Sequence, residues 1–145
     1  MMIKTHTQIS LTLDAALVIA NSAINKGNEL GIKMNAVVVD AAGNRLVSLR
    51  EPGAPMPALD FAEKKAYTAA NFKLPTEKWS DVLEGRPVVA NGLAQHEKVA
   101  LFGGGLPVIV EGVVVGAIGV SGGKVPDDIK CAEAGLDALS LLIHD

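Results

Sequence analysis

The residue best suited to chemistry in this chain is Lys65. It lies in DFAEKKAYTAANF, whose spacing predicts a helix from Asp60 to about Phe72, with Glu63 completing a capping box. Ala62, Ala66, Ala69 and Ala70 make a small apolar face on that helix, bordered by Phe61 and Phe72. Lys65 projects beside this face, whereas Lys64 points away. An ammonium in that position can bind a carboxylate, or lose charge by desolvation and serve as a base or electrophile. The plainer expectation is a stem that covers apolar surface while its amine reaches water.

Two glycine clusters flank a hairpin in FGGGLPVIVEGVVVGAIGVSGG, Phe102 to Gly123. Gly103, Gly104 and Gly105 lead into a strand, as a tight turn or as a backbone wall for a ligand. Ser121, Gly122 and Gly123 join a strand to a helix N-terminus, where backbone N–H groups can receive an anion. Asp127 and Asp128 already place negative charge on that helix end, so a structural cap is an equal expectation.

Two motifs fail on inspection. A P-loop needs glycine five residues before Gly123, where Ile118 stands, and Val125 follows Lys124 where Ser or Thr belongs. Gly119 to Gly123 does match the G-x-S-x-G elbow of hydrolases. However, His144 would lie roughly 25 Å along the final helix from Ser121. Only His96 or a histidine of another subunit could serve that serine.

The elements that must position these groups read as follows. Lys4–Ile9 is expected as a short strand or a lead-in. Thr12 caps a helix from Leu13 to about Leu30, with Leu13, Ala16, Leu17, Ala20, Ala23, Ile24 and Gly27 on one face. Met34–Val39 and Arg45–Arg50 are strands joined by the turn Asp40-Ala-Ala-Gly-Asn44. Pro52, Pro55 and Pro57 stiffen the next loop. Pro75 ends the Lys65 helix, and Thr76 caps a short helix around Glu77–Leu83. Residues 85–101 read as a loop with a helical turn near Ala94–Val99. The hairpin follows, with Glu111–Gly112 as its loop. Pro126 opens a last helix running to about Ile143. The order βαββααββα argues for an α+β fold with a mainly antiparallel sheet.

The chain has 145 residues, suiting one domain over residues 1–145. Hydrophobic residues make up 49% and aromatic residues only 3%, so Val, Ile, Leu and Ala must build the core. A net charge of −3 without a basic stripe argues against nucleic acid. One cysteine, Cys131, rules out an internal disulfide or a cysteine zinc cage. The longest apolar run, Val113–Val120, is too short to span a membrane, and MMIKTHTQISLTL lacks a signal peptide's apolar stretch. A cytoplasmic protein is the simplest expectation. The last helix is apolar over a wide arc. Ile129, Ala132, Leu136, Leu139 and Ile143 lie beside the small face of Cys131, Gly135, Ala138 and Leu142. That width suggests burial against the sheet and against a second copy in a homodimer or larger homo-oligomer.

The segments VVVDAAGNRLVSLREPGAP, DFAEKKAYTAANF and FGGGLPVIVEGVVVGAIGVSGG, in this order, resemble the GlcG/HbpS-like family. That family includes the C-terminal domain of PduO-type proteins and stand-alone OrfY-type proteins of diol and glycerol dehydratase gene clusters. The resemblance implies a profilin-like fold, with a five-stranded antiparallel sheet flanked by helices, and self-assembly. It also implies haem binding in some members, and the family pattern places a lysine at position 65.

Haem needs an iron ligand and partners for two propionates. The donors are His6, His96, His144, Cys131, Tyr67 and the methionines, and His96 in the QHEK segment is the best axial candidate. The expected function is an oligomeric small-ligand-binding accessory protein, for haem, another tetrapyrrole or a corrinoid. Its pocket would use Lys65 for an acidic group, Gly103, Gly104, Gly105, Ser121 and Gly122 for backbone contacts, and Met56 and Phe61 for apolar cover. Two alternatives stay open. One is an enzyme for a small carbonyl or carboxylate metabolite with Lys65 in the site. The other is a structural assembly module without a ligand.

Overall fold

Four antiparallel strands form one sheet in the order β2-β1-β4-β3, where β1 is Asn35–Asp40, β2 Arg45–Arg50, β3 Gly105–Val110 and β4 Val113–Ser121. The structure, a computed structural model, describes residues 4–143. The expected first strand does not form: residues 4–12 are irregular, although Leu11 N–H donates to Val115 O at 2.9 Å. One such bond ties this segment down without extending the sheet. Among the described residues the sheet is therefore four-stranded rather than five-stranded.

Among the described residues, five helices surround the sheet: α1 Leu13–Glu29, α2 Met56–Phe72, α3 Trp79–Val82, α4 Pro87–Ala94 and α5 Val125–Ile143. A 3₁₀ turn, Thr76–Lys78, leads into α3. Alternation along the strands sorts the core into two layers. Ala36, Val38, Ile118, Val120, Leu106 and Val108 face α1 and α5. Val37, Val39 and Ala117 face α2.

On α1 the Thr12 hydroxyl accepts from Ala15 N–H at 3.2 Å, as a cap should. The buried stripe is Ala16, Ile19, Ala20, Ala23 and Gly27. It is rotated from the expected face, so Leu13 and Leu17 are left exposed. The first half of the small face of α5 is occupied within the chain, whereas Leu142 is exposed: Cys131 and Gly135 are buried against α1, and a Cβ on Gly135 would lie 2.7 Å from Ile19 O. Burial pushes the Cys131 thiol up to about 11.

Two expected boundaries move. The Lys65 helix begins at Met56, not Asp60, and Glu63 forms no capping box. Pro57 lies in the first turn, where its missing N–H has no partner to lose, so proline starts the helix a turn early. The segment expected as a loop before Ala94 contains α4 instead. At the hairpin tip Glu111 and Gly112 have φ of 50° and 79°, the left-handed pair of a type I′ turn.

Small residues let α2 approach the sheet. Gly105 and Gly119 are cross-strand partners under α2. A Cβ on Gly119 would run into Ala62 O and come 2.6 Å from Ala66 N; one on Gly105 would meet Lys65 O. The alanine face therefore lies directly on bare backbone, which fixes the height and rotation of Lys65. Gly119→Ala is expected to lower stability by about 3 kcal/mol, because backbone has to move. Urea unfolding measures this, and a change within about 0.5 kcal/mol would contradict such close contact.

Candidate functional site

Lys65 is fully buried. Its ammonium donates to Val120 O at 2.9 Å and to Asp128 Oδ2 at 3.1 Å. The other oxygen of that carboxylate accepts from Gly123 N–H at 3.0 Å. The expected carboxylate partner of Lys65 is thus the chain's own Asp128, and the amine does not reach water. Asp128, expected with Asp127 as negative charge at the helix end, is 2% exposed and caps it by accepting the Gly123 N–H.

The remaining face of the ammonium meets an aromatic ring. Nζ lies 4.7 Å from the centroid of Phe102, a cation–π contact. Gly104, directly before β3, closes the cluster, with φ of 125° and space for no side chain: a Cβ would sit 2.8 Å from Nζ. Burial pushes the Lys65 ammonium below its ordinary value, and the Asp128 charge pulls it back. Burial likewise raises the Asp128 carboxyl, which Lys65 and the Gly123 N–H oppose.

The expected site residues do not share one place. Lys65, Gly104 and Gly105 join the buried cluster with Asp128 and Val120. Gly103 packs against α5, where a Cβ would be 2.8 Å from both Val125 and Ile129. Ser121 and Gly122 lie where β4 leaves the sheet. Ser121 pairs with Asn35 across the strands, and a Cβ on Gly122 would lie 2.7 Å from Lys33 O. Asn35 is buried and donates to Pro55 O and Ser121 O, holding the proline loop to that corner. Met56, in the first turn of α2, is 58% exposed.

Phe61 and His96 come together elsewhere. They line a groove of about 340 Å³ between α2 and residues 94–102, with Lys64, Val99, Leu101 and Phe102 among its walls. A neighbouring hollow of about 250 Å³ shares Lys64 and Glu97 and adds Asp60, Glu63, Tyr67 and Lys98. His96 stacks on Tyr67 with centroids 6.2 Å apart, and its Nδ1 accepts from Lys98 N–H at 3.1 Å. Phe102 packs edge-on against Phe61 at 5.4 Å. Its ring is therefore the partition between the groove and the buried Lys65–Asp128 pair.

Sequence reasoning did not find Phe102 or the pairing of Asp128. Phe102 carried a signal, being an aromatic residue directly before three glycines. Asp128 lay hidden because Asp127 beside it suggested two equivalent helix-end charges. Arg45 lies 3.3 Å from Glu63, and Arg50 donates to Ala54 O at 2.9 Å. His144, weighed as a hydrolase base, lies outside the described residues. Among those described, Ser121 has no hydrogen bond to a histidine, and no cluster of three or more His, Cys, Asp or Glu is arranged to hold a metal. No helix among them is long and apolar enough to cross a membrane.

Lys65→Met would strand a buried carboxylate and is expected to cost about 3–5 kcal/mol, with Lys65→Met/Asp128→Asn recovering most of it. The pH dependence has a defined sign. The folded chain binds the Asp128 proton more tightly than the unfolded chain, so this group's contribution falls as pH rises from its ordinary 3.8 through the folded value. The folded chain releases the Lys65 proton more readily, so that contribution rises from the folded value up to the ordinary 10.5. Stability relative to the double variant should therefore be lowest between the two windows. A maximum there, in urea titrations across pH, would show that the charged forms are the favoured ones.

Comparison with known proteins follows the same outline. The family model for "Haem degrading protein HbpS-like" matches residues 11–137. An uncharacterized 15.0 kDa protein from the dhaT–dhaS intergenic region of Citrobacter freundii is 37% identical over 140 residues, covering 96% of this chain and 99% of that protein. The corrinoid adenosyltransferase PduO of Salmonella typhimurium is 31% identical over 143 residues, covering 97% of this chain but only 42% of PduO. Among solved structures, Klebsiella pneumoniae ORFY superposes with a TM-score of 0.88 at 35% identity, covering 97% of each chain. A PduOC–haem complex superposes with 0.83 at 30% identity, covering 90% of this chain and 95% of that one. With the match running from Leu11 through most of α5, this chain belongs to the HbpS-like family.

Proposed function

We propose that this chain is a small-ligand-binding accessory protein whose ligand lies in the groove between α2 and residues 94–102. The ligand class that fits is a flat, acid-bearing macrocycle, haem or a related tetrapyrrole or corrinoid. One observation carries this reading: an aromatic ring and an ammonium group lie together in the groove, and a second such pair lies in the hollow beside it. Lys64 Nζ lies 5.5 Å from the Phe61 ring and Lys98 Nζ lies 5.6 Å from the Tyr67 ring. Rings offer stacking area for the flat face, and the lysines suit carboxylates at its rim. Asp60 and Glu63 line only the neighbouring hollow and bias those carboxylates toward the groove side. The haem complex of PduOC and the description of the family support the same ligand class.

His96 fits the metal less well than the rim residues fit the acids. Its Nδ1 accepts the Lys98 N–H, which leaves the proton of the neutral ring on Nε2. Metal ligation through Nε2 requires that proton to move and the Lys98 bond to break. The groove thus supports binding through face and rim, with His96 as part of the wall.

A second reading rests on Lys65. Burial lowers its pKa, and a single aromatic ring separates it from the groove. If Phe102 swings aside, an amine becomes available to a small carbonyl compound. Borohydride trapping of an aldehyde at Lys65 would favour this enzyme reading.

Titration with haemin and with metal-free protoporphyrin IX tests the first reading. Both are expected to bind saturably with similar affinity, and Lys64→Glu/Lys98→Glu to weaken both about tenfold. An unsaturable absorbance change shared by the variant would mean adsorption and would overturn the groove as a macrocycle site. Binding of haemin alone, abolished by His96→Ala, would show instead that the metal is the anchor.

A further inference from the structure

Phe102 belongs to residues 95–104, which lie in neither a helix nor a strand. No ladder of backbone hydrogen bonds therefore fixes its ring, which is 41% exposed and forms part of the groove wall. Gly103 and Gly104 follow it and have to stay bare, one against α5 and the other against the amine, so they bring no side chain to brace the ring. Two contacts bear on the ring. Phe61 meets its edge at 5.4 Å, but Phe61 is itself 40% exposed. Lys65 Nζ lies 4.7 Å from its centroid, and this partner is rigid, because Val120 O and Asp128 Oδ2 both accept from the ammonium.

Lys65 is fully buried, and a desolvated ammonium attracts an aromatic face more strongly than a hydrated one. Asp128 is anchored in turn through its other oxygen, which accepts from Gly123 N–H. A continuous chain of contacts thus runs from the start of α5 through Asp128 and Lys65 to the groove. The two adjacent lysines of α2 differ accordingly: Lys64 lines the groove, and Lys65 lies behind its wall.

We propose that Lys65 and Asp128 are positioning residues for the groove: neither meets the ligand, and together they hold the Phe102 ring as the wall against which the macrocycle stacks. This inference rests on the macrocycle reading above. A ring that occupied its place only part of the time would lower the apparent affinity in the same proportion. The coupling is reciprocal, so a bound macrocycle tightens the hold between ring and ammonium.

Binding of metal-free protoporphyrin IX to the full chain tests it. Lys65→Met/Asp128→Asn removes both charges and is expected to raise the dissociation constant about fivefold. Phe102→Leu is expected to do the same, and the triple variant to lose nothing further, because the pair acts through the ring. An unchanged dissociation constant in the double variant, or losses that multiply in the triple variant, would overturn the proposal. Two NMR readouts need no ligand. The NOE between the Phe61 and Phe102 rings, present in wild type, is expected to be lost in the double variant. Phe102→Leu leaves the buried pair intact and is expected to speed exchange of the Lys65 ammonium with water until its signal is lost. A persisting NOE, or an unaltered Lys65 signal, would each overturn the hold on the ring. Protoporphyrin that fails to bind wild type, while both signals are lost as expected, would overturn the macrocycle reading and uphold the hold on the ring.

Discussion

An ammonium buried with one carboxylate organises this molecule. Lys65 comes from α2, Val120 O from β4 and Asp128 from the start of α5. The three groups therefore tie the helix on one face of the sheet, the sheet itself and a helix on the other face. An ion pair this deep recovers its desolvation cost only when its remaining hydrogen-bonding capacity is met. Here the Gly123 N–H, the Val120 carbonyl and the Phe102 ring meet it. The glycines that looked suited to a ligand serve this contact first. Gly104 leaves space for the amine, and Gly105 and Gly119 bring α2 close enough for the side chain to reach through.

The same constraint shapes the outer surface. Phe102 must cover the amine, so the segment leading to it is drawn across α2, leaving a groove against Phe61 and Lys64. Two backbone clasps hold that segment in place. Thr68 Oγ1 accepts from Ala100 N–H at 3.0 Å, and Thr76 Oγ1 accepts from Gly105 N–H at 2.9 Å. The buried pair and the groove are thus two sides of one aromatic ring. A ligand in the groove would press on Phe102 from outside while Lys65 holds it from within.

Much of the fold was legible in the residues. Thr12, the Asp40–Asn44 turn, the Glu111–Gly112 loop and Pro126 mark boundaries by local chemistry, and the structure keeps them. The first strand and the start of α2 are not legible, because periodicity does not report strand pairing and because a proline such as Pro57 fits a loop as well as a helix's first turn. At the candidate site, Lys65 stood out because a charge beside an alanine face is costly. Its partner did not, because pairing across 63 positions leaves no local trace. Phe61 and His96 were both picked out, but only the path of residues 94–102 brings them into one groove.

The most direct measurement is the NMR signal of the Lys65 side-chain ammonium, free and with saturating protoporphyrin IX. A clamped, buried ammonium exchanges slowly with water, so a resolved Lys65 signal is expected in the free protein and should persist in the complex. Absence of that signal in the free protein, with its appearance only on ligand addition, would contradict the clamp and make Lys65 the ligand's own anchor.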